Sequence, residues 1–433
     1  MIRRLLLALS LMVPLPAYAV TVEKVTSPGG IEAWLVEDHA NPIIALDVAF
    51  AAGSASDATP GLSNMMAALL DEGAGPYDSQ AFQGKLEDLS IGLGFHAGQD
   101  DLHGNLKTLS ENRDAAFKLF QLALTQPRFD KEPVNRIRAQ ILTGLAREEQ
   151  NPNASAGRLW AKTTFGAHPY GQPGNGTAAS VKAITTAQLK ARAKTWLSRQ
   201  DMVIGVTGDI TSAQLAPLLD QTFGALPAHH PALAIAEAQP NTGKIVVVPR
   251  AIPQSVAVFG LPGLKRDDPQ WYAAFVMNYI LGGGGFSSRL TEEVREKRGL
   301  AYSVYSYLLP LDHAGLIQGG VATQNARVAQ SLDLIRQELA RMAADGPTEA
   351  ELADAKTYLT GSFPLSLDST DAIAGLLVTM QLEHLGIDYL ERRSGLINAV
   401  TLDQVKAIAR RLLDPAKLNI VVVGQPEGLT PTP

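Results

Sequence analysis

Residues 281–307, LGGGGFSSRLTEEVREKRGLAYSVYSY, gather arginines, serines and tyrosines around a run of four glycines. The segment offers hydrogen-bond donors and charge, but no histidine or cysteine to hold a metal. Ser287 or Ser288 can cap a helix in which Glu292 and Glu293 sit early and Arg295, Lys297 and Arg298 sit late, as the helix dipole favours. Gly299 is a good stop, and AYSVYSYLL then alternates as a strand, with Tyr302 and Val304 expected on one face and Ser303, Tyr305 and Tyr307 on the other. Helix, stop and strand carry Arg295 and Tyr302 toward one place. By residue type alone, Arg295 reads as a helix charge paired with Glu292, and Tyr302 as a sheet residue beside other tyrosines. Gly282, Gly283, Gly284 and Gly285 lack the Lys-Ser/Thr of a phosphate loop and the spacing of a dinucleotide turn. They read instead as a close backbone approach or a flexible rim.

Other chemistries find little to work with. None of the eight histidines forms H-x-x-H, H-x-x-x-H or H-x-x-E-H, no cysteine is present, and no G-x-S-x-G elbow occurs. A net charge of -6 without a Lys/Arg stripe gives no electrostatic footprint for nucleic acid. The N-terminus carries Arg3 and Arg4, an apolar run over residues 5–13, and Ala17-Tyr18-Ala19 in the small-x-small cleavage pattern. That is the pattern of a signal peptide over residues 1–19, with maturation at Val20 and a bacterial periplasm as the expected address. No later stretch reaches the roughly 20 apolar residues of a membrane span, so the mature chain is expected to be soluble.

At 433 residues the chain exceeds what one core usually supports. It also repeats itself. Residues 183–190 match 399–406 without a gap, and the same offset of 216 carries to Gly208 against Gly424. Thr185 and Thr401 are the N-cap candidates of the paired helices, and each helix is followed by an apolar strand ending on Gly. A weaker correspondence joins residues 42–57 with 253–268. Residues 226–242 accumulate Pro and Ala without a period and read as the seam. The expected organisation is an N-terminal domain over 20–228, a linker over 229–242 and a C-terminal domain over 243–433. Strands over 31–37 and 43–51 alternate with helices over 115–124 and 131–149, which points to an α+β fold: two homologous halves, each a mostly antiparallel or mixed sheet with helices on one face.

The order of a glycine-rich turn, Ser287-Ser288-Arg289-Leu290, Arg295, six residues and Tyr302 resembles the substrate motif of pitrilysin/insulinase-type zinc peptidases, the inverzincins. The residue stretches 21–57, 126–140, 165–177 and 348–374 resemble the same family in the same order. The resemblance implies that the halves face each other as half of a clamshell. It also implies that Arg295 holds substrate carbonyls and Tyr302 stabilises the oxyanion, with Gly282 to Gly285 and Ser287 along the substrate path. A catalytic zinc of this class needs H-x-x-E-H, two imidazoles one helical turn apart and a glutamate base. At the corresponding positions this chain has Asn64, Ala67 and Ala68, and Gly144 stands where the resemblance places the distant third ligand. The chain is therefore expected to bind no metal itself and to be the non-zinc subunit of a heterodimeric endopeptidase. Zinc would reside in an H-x-x-E-H homologous subunit, and the substrate would be a peptide or unfolded polypeptide. A catalytically inert scaffold or peptide-binding protein of the same fold is the alternative.

Overall fold

The computed structural model describes residues 21–232 and 234–432, so the leader expected over residues 1–19 lies outside the described residues. The first half contains β1 (Glu23–Thr26), β2 (Glu32–Glu37), β3 (Ile43–Phe50), α1 (Leu62–Ala67), α2 (Ser79–Asp88), β4 (Gly92–Ala97), β5 (Leu102–Leu109), α3 (Arg113–Thr125), α4 (Lys131–Gln150), α5 (Pro152–Phe165), α6 (Ala178–Ala183), α7 (Thr186–Trp196), β6 (Val203–Gly208) and α8 (Ser212–Phe223). The second contains β7 (Ile245–Pro249), β8 (Gln254–Pro262), α9 (Trp271–Asn278), β9 (Ala301–Leu311), β10 (Ala314–Gln324), α10 (Val328–Asp345), α11 (Glu349–Gly361), α12 (Thr370–Leu382), α13 (Tyr389–Asn398), α14 (Leu402–Leu412) and β11 (Asn419–Gly424). The fold is α+β.

The repeat is visible in the sheets. The first runs β1-β2-β6-β3-β5-β4 and the second β7-β11-β8-β10-β9, so after β1 the two orders correspond strand for strand. In each, a parallel pair (β2 with β6, β7 with β11) is followed by antiparallel neighbours and ends on a hairpin. The matched helices α7 and α14 start alike: Thr185 with Gln188 and Thr401 with Gln404 each close a reciprocal capping box, satisfying two orphan backbone donors.

Each half packs its own helices over one sheet face and lends a helix to the opposite face of the other half's sheet. The helix α5, from the first half, lies on β8 and β11, while α12, from the second, lies on β3 and β6. Glycines make the close approach possible. A Cβ on Gly260 would stand 2.5 Å from the Trp160 ring of α5, and one on Gly205 would stand 2.4 Å from the Ala374 carbonyl of α12. Polar anchors accompany both contacts: Trp160 Nε1 donates to the Asn419 carbonyl at 3.3 Å and Gln381 Nε2 to the Ile204 carbonyl at 2.9 Å. This coverage explains why all six residues of β11 are buried, the pattern of a strand with both faces covered.

Candidate functional site

The backbone around Arg295 departs from a regular helix in a way that sets the site. The helix α9 runs into a wide turn over Tyr279–Gly283, where the Gly284 N–H reaches five residues back to the Tyr279 carbonyl at 2.8 Å. A tight turn over Gly285–Ser287 follows, then a second wide turn over Thr291–Glu296, with the Lys297 N–H on the Glu292 carbonyl at 2.9 Å. The expected α-helix is thus a π-type one, whose extra residue per turn shifts the side chains around its axis. Ser288 is the cap: its hydroxyl accepts from the Thr291 N–H at 3.4 Å and its carbonyl accepts from the Glu292 N–H at 3.0 Å. Gly299, at φ +59°, stops the helix as expected.

The strand that follows corrects a second expectation. Pairing of β9 with β10 passes from Val304 opposite Val321 to Ala301 opposite Thr323, so Tyr302 and Ser303 together face Ala322. This is a β-bulge, and it breaks the alternation. Tyr302 does not share the buried face with Val304; it projects outward at 83% exposure. There it meets Arg295, whose guanidinium carbon lies 4.9 Å from the Tyr302 ring centre and 4.6 Å from that of Phe286. Arg295 does not pair with Glu292, which holds Lys297 at 2.9 Å; its Nε lies 3.2 Å from Glu296. The Tyr302 hydroxyl has no hydrogen-bond partner among the described residues.

A buried polar frame fixes this segment. Arg289 forks onto Glu351 with contacts of 2.6 and 2.7 Å and reaches the Gly346 carbonyl at 3.1 Å. Burial pushes the Glu351 carboxyl up, but Arg289 and the Thr348 cap outweigh it and hold the group at about 2. Lys297 and Arg298 likewise hold Glu293 at about 2. On the strand side, Asn278 Nδ2 donates to the Ser306 carbonyl at 3.2 Å and the Thr291 hydroxyl to the Val304 carbonyl at 3.3 Å. Side chains therefore occupy two carbonyls on the outer edge of β9, one way of hindering strand addition there.

The glycine run divides by position. A Cβ on Gly282 would come within 2.4 Å of Ser306 Oγ, and one on Gly283 within 3.0 Å of Asn278 Nδ2. Gly284 would meet the Tyr279 carbonyl at 2.9 Å. These three are close-approach positions, whereas Gly285 turns the chain at φ +57° with open space around it. Ser287 folds back on its own loop, its hydroxyl donating to the Gly284 carbonyl at 2.9 Å.

Asn64 and Ala68 sit one turn apart on α1 and its end, linked by the Ala68 N–H to the Asn64 carbonyl at 3.1 Å, and both are half-buried. Ala67, where the resemblance places the base, is only 1% exposed and belongs to the core. Gly144 lies on α4 with open space where a side chain would begin. Asn64 offers at most one weak amide donor and Ala67, Ala68 and Gly144 offer none, so the residues present do not fit the metal of the resembled family. Among the described residues no group of three or more His, Cys, Asp or Glu is placed to hold a metal ion.

The model for the family described as Peptidase M16 inactive domain matches residues 183–359. The chain is 33% identical to an uncharacterized zinc protease of Streptomyces coelicolor over 300 residues, 67% of this chain and 64% of that protein's length. A Helicobacter pylori protein named non-peptidase homolog YmxG is 29% identical over 340 residues, 76% of this chain and 77% of its own. The crystal structure of a peptidase M16 inactive domain from Pseudomonas fluorescens superposes with a TM-score of 0.89 at 33% identity, covering 95% of this chain and all of that one. The chain belongs to the M16 peptidase family. As an inactive M16-type chain it carries an exposed Arg295–Tyr302 pair, with Asn64, Ala67, Ala68 and Gly144 where the resemblance places the metal site. Phe286, Arg289, Glu293 and Glu351 are the site residues that sequence reasoning left unassigned. Arg289 stands inside the Ser-Ser-Arg-Leu motif, whereas the Thr-x-x-Glu spacing by which Glu351 closes the capping box of α11 is a sequence signal that went unused.

Proposed function

We propose that this M16 chain is the non-metal subunit of a two-chain periplasmic zinc endopeptidase. One observation carries the reading: Arg295 and Tyr302 meet at an exposed place, while the metal positions hold Asn64, Ala67, Ala68 and Gly144. With its Nε beside Glu296, Arg295 keeps its terminal N–H donors for the carbonyls of a bound peptide, a task suited to its planar fork. The Tyr302 hydroxyl donates to the oxygen that gains negative charge when the scissile carbonyl is attacked. One such donor is typically worth about a hundred- to a thousandfold in rate. The partner chain, an H-x-x-E-H homologue, would hold the zinc through its two histidines and would supply the Lewis-acid chemistry that this chain's residues cannot. The substrate is an extended or unfolded polypeptide, and the open edge of β4, which packs beside α1, is available to pair with it.

The test mixes the purified chain with its H-x-x-E-H homologue and follows cleavage of a quenched peptide. Cleavage appearing only in the mixture, and falling about a hundredfold with Tyr302→Phe, supports the reading. The name of the Helicobacter pylori relative, a non-peptidase homolog, favours a second reading in which the chain is an inert scaffold or peptide-binding protein. Complex formation without cleavage, or cleavage indifferent to Tyr302→Phe, selects that one.

A further inference from the structure

The glycine loop ends on Phe286, whose ring is 72% exposed. Such a ring gains little from burial. What the ring does meet is the Arg295 guanidinium, at 4.6 Å. A cation over an aromatic face is attracted by the ring quadrupole, and a guanidinium that stacks there leaves its in-plane N–H donors free. The Tyr302 ring at 4.9 Å and Glu296 at 3.2 Å also hold Arg295, so loss of the Phe286 contact removes one of three restraints and returns part of the arginine's rotamer freedom.

We propose that Phe286 is a positioning residue for Arg295, holding the guanidinium by its face so that the terminal N–H groups remain aimed at the peptide carbonyl. The proposal rests on the reading of Arg295 as a substrate clamp. The aromatic character of position 286 is what matters to it, and the hydrophobicity of that side chain is secondary.

The experiment compares Phe286→Ala, Phe286→Leu and Phe286→Tyr in the two-chain cleavage assay, each alone and with Arg295→Met. Ala and Leu should lower kcat/KM about three- to thirtyfold, the span of exposed to desolvated cation–π contacts, while Tyr stays within about twofold. Neither Ala nor Leu should cost anything further once Arg295 is Met. A Phe286→Ala chain as active as wild type, or an equal loss in the Arg295→Met background, overturns the proposal. If the wild-type mixture itself fails to cleave, the two-chain reading has failed separately. The positioning claim is then decided on the isolated chain by phenylglyoxal labelling mapped by mass spectrometry. Arg295 should react several-fold faster in Phe286→Ala than in wild type or Phe286→Tyr, and equal rates overturn it.

Discussion

Replacing Arg289 by Ala tests whether the frame beneath Arg295 is electrostatic or merely packed. Arg289 is buried and forks onto Glu351, whose carboxyl is held at about 2 against an ordinary value of 4.5. At about 1.4 kcal/mol per unit that depression corresponds to roughly 3 kcal/mol. The Glu351 side chain is 31% exposed, so solvent screening reduces the figure to about 2 kcal/mol. Lost packing of the arginine stem adds to this, for a total of about 2–4 kcal/mol near pH 7. The sign is fixed by the direction of the shift. A depressed folded-state value gives stability that is complete above about 4.5 and fades as pH falls toward about 2. The gap in urea-unfolding free energy between wild type and Arg289→Ala should therefore lose its electrostatic part, more than half of it by about pH 3. Glu351→Gln alone and with Arg289→Ala completes a double-mutant cycle, in which a coupling of about 1–3 kcal/mol is expected. A gap that does not change with pH, or strictly additive single effects, would refute the reasoning. If the frame positions Arg295, Arg289→Ala should also weaken stimulation of the partner chain under conditions where it remains folded.

Trp160→Ala removes the anchor by which α5 grips the second sheet and should cost about 3–5 kcal/mol in urea unfolding; a cost under about 1 kcal/mol would mean the halves are held together elsewhere. Burial, with Asp312 and Glu383 among the neighbouring carboxylates and His103 opposing, pushes Asp101 up to about 7, and burial with Asp312 and Asp267, opposed by Arg266, pushes Glu383 up to about 7. A raised carboxyl costs stability as pH climbs from the ordinary carboxylate range to its folded value, so Asp101→Asn with Glu383→Gln should flatten the decline in stability between about pH 4 and 7, and an unchanged profile would count against the burial argument. Because Ala67 lies within the core, Ala67→Glu should destabilise the chain by about 2 kcal/mol or more in thermal or urea unfolding, and a neutral result would mean that the base position still opens to solvent.

Much of the architecture could be read from local rules. Thr185 and Thr401 cap their helices because a side-chain oxygen three residues before a Gln satisfies backbone donors on its own, and such signals need no tertiary context. Gly299 stops its helix for an equally local reason. The exchange of α5 and α12 between the halves was not legible, because a helix that covers a distant sheet looks in sequence like one that covers its own. Nor was the bulge: AYSVYSY alternates as a regular strand, and the slip at Tyr302 and Ser303 arises from pairing with β10 and from the Thr323 hydroxyl on the Leu300 carbonyl. The position of Tyr302 therefore depends on a contact more than twenty residues away in sequence. Phe286 escaped for a related reason, since its importance lies in a guanidinium brought to it by a helix of unusual pitch.

The repeat gives these differences a direction. In both halves a long strand, β3 or β8, is followed by a helix, α1 or α9, and by a second helical segment that leads into the edge strand of the closing hairpin, β4 or β9. The first half has no ligating side chains on α1, and Ala67 is closed into the core, yet β4 keeps an unpaired edge. The second half does the reverse: Asn278 and Thr291 occupy outer carbonyls of β9, while the bulge pushes Tyr302 out beside Arg295. Had Tyr302 been needed only to pack the sheet, the regular register would have buried it with Val304. A bulge that leaves a tyrosine 83% exposed against an arginine forgoes that burial, as the proposed presentation of two donors to a bound peptide requires.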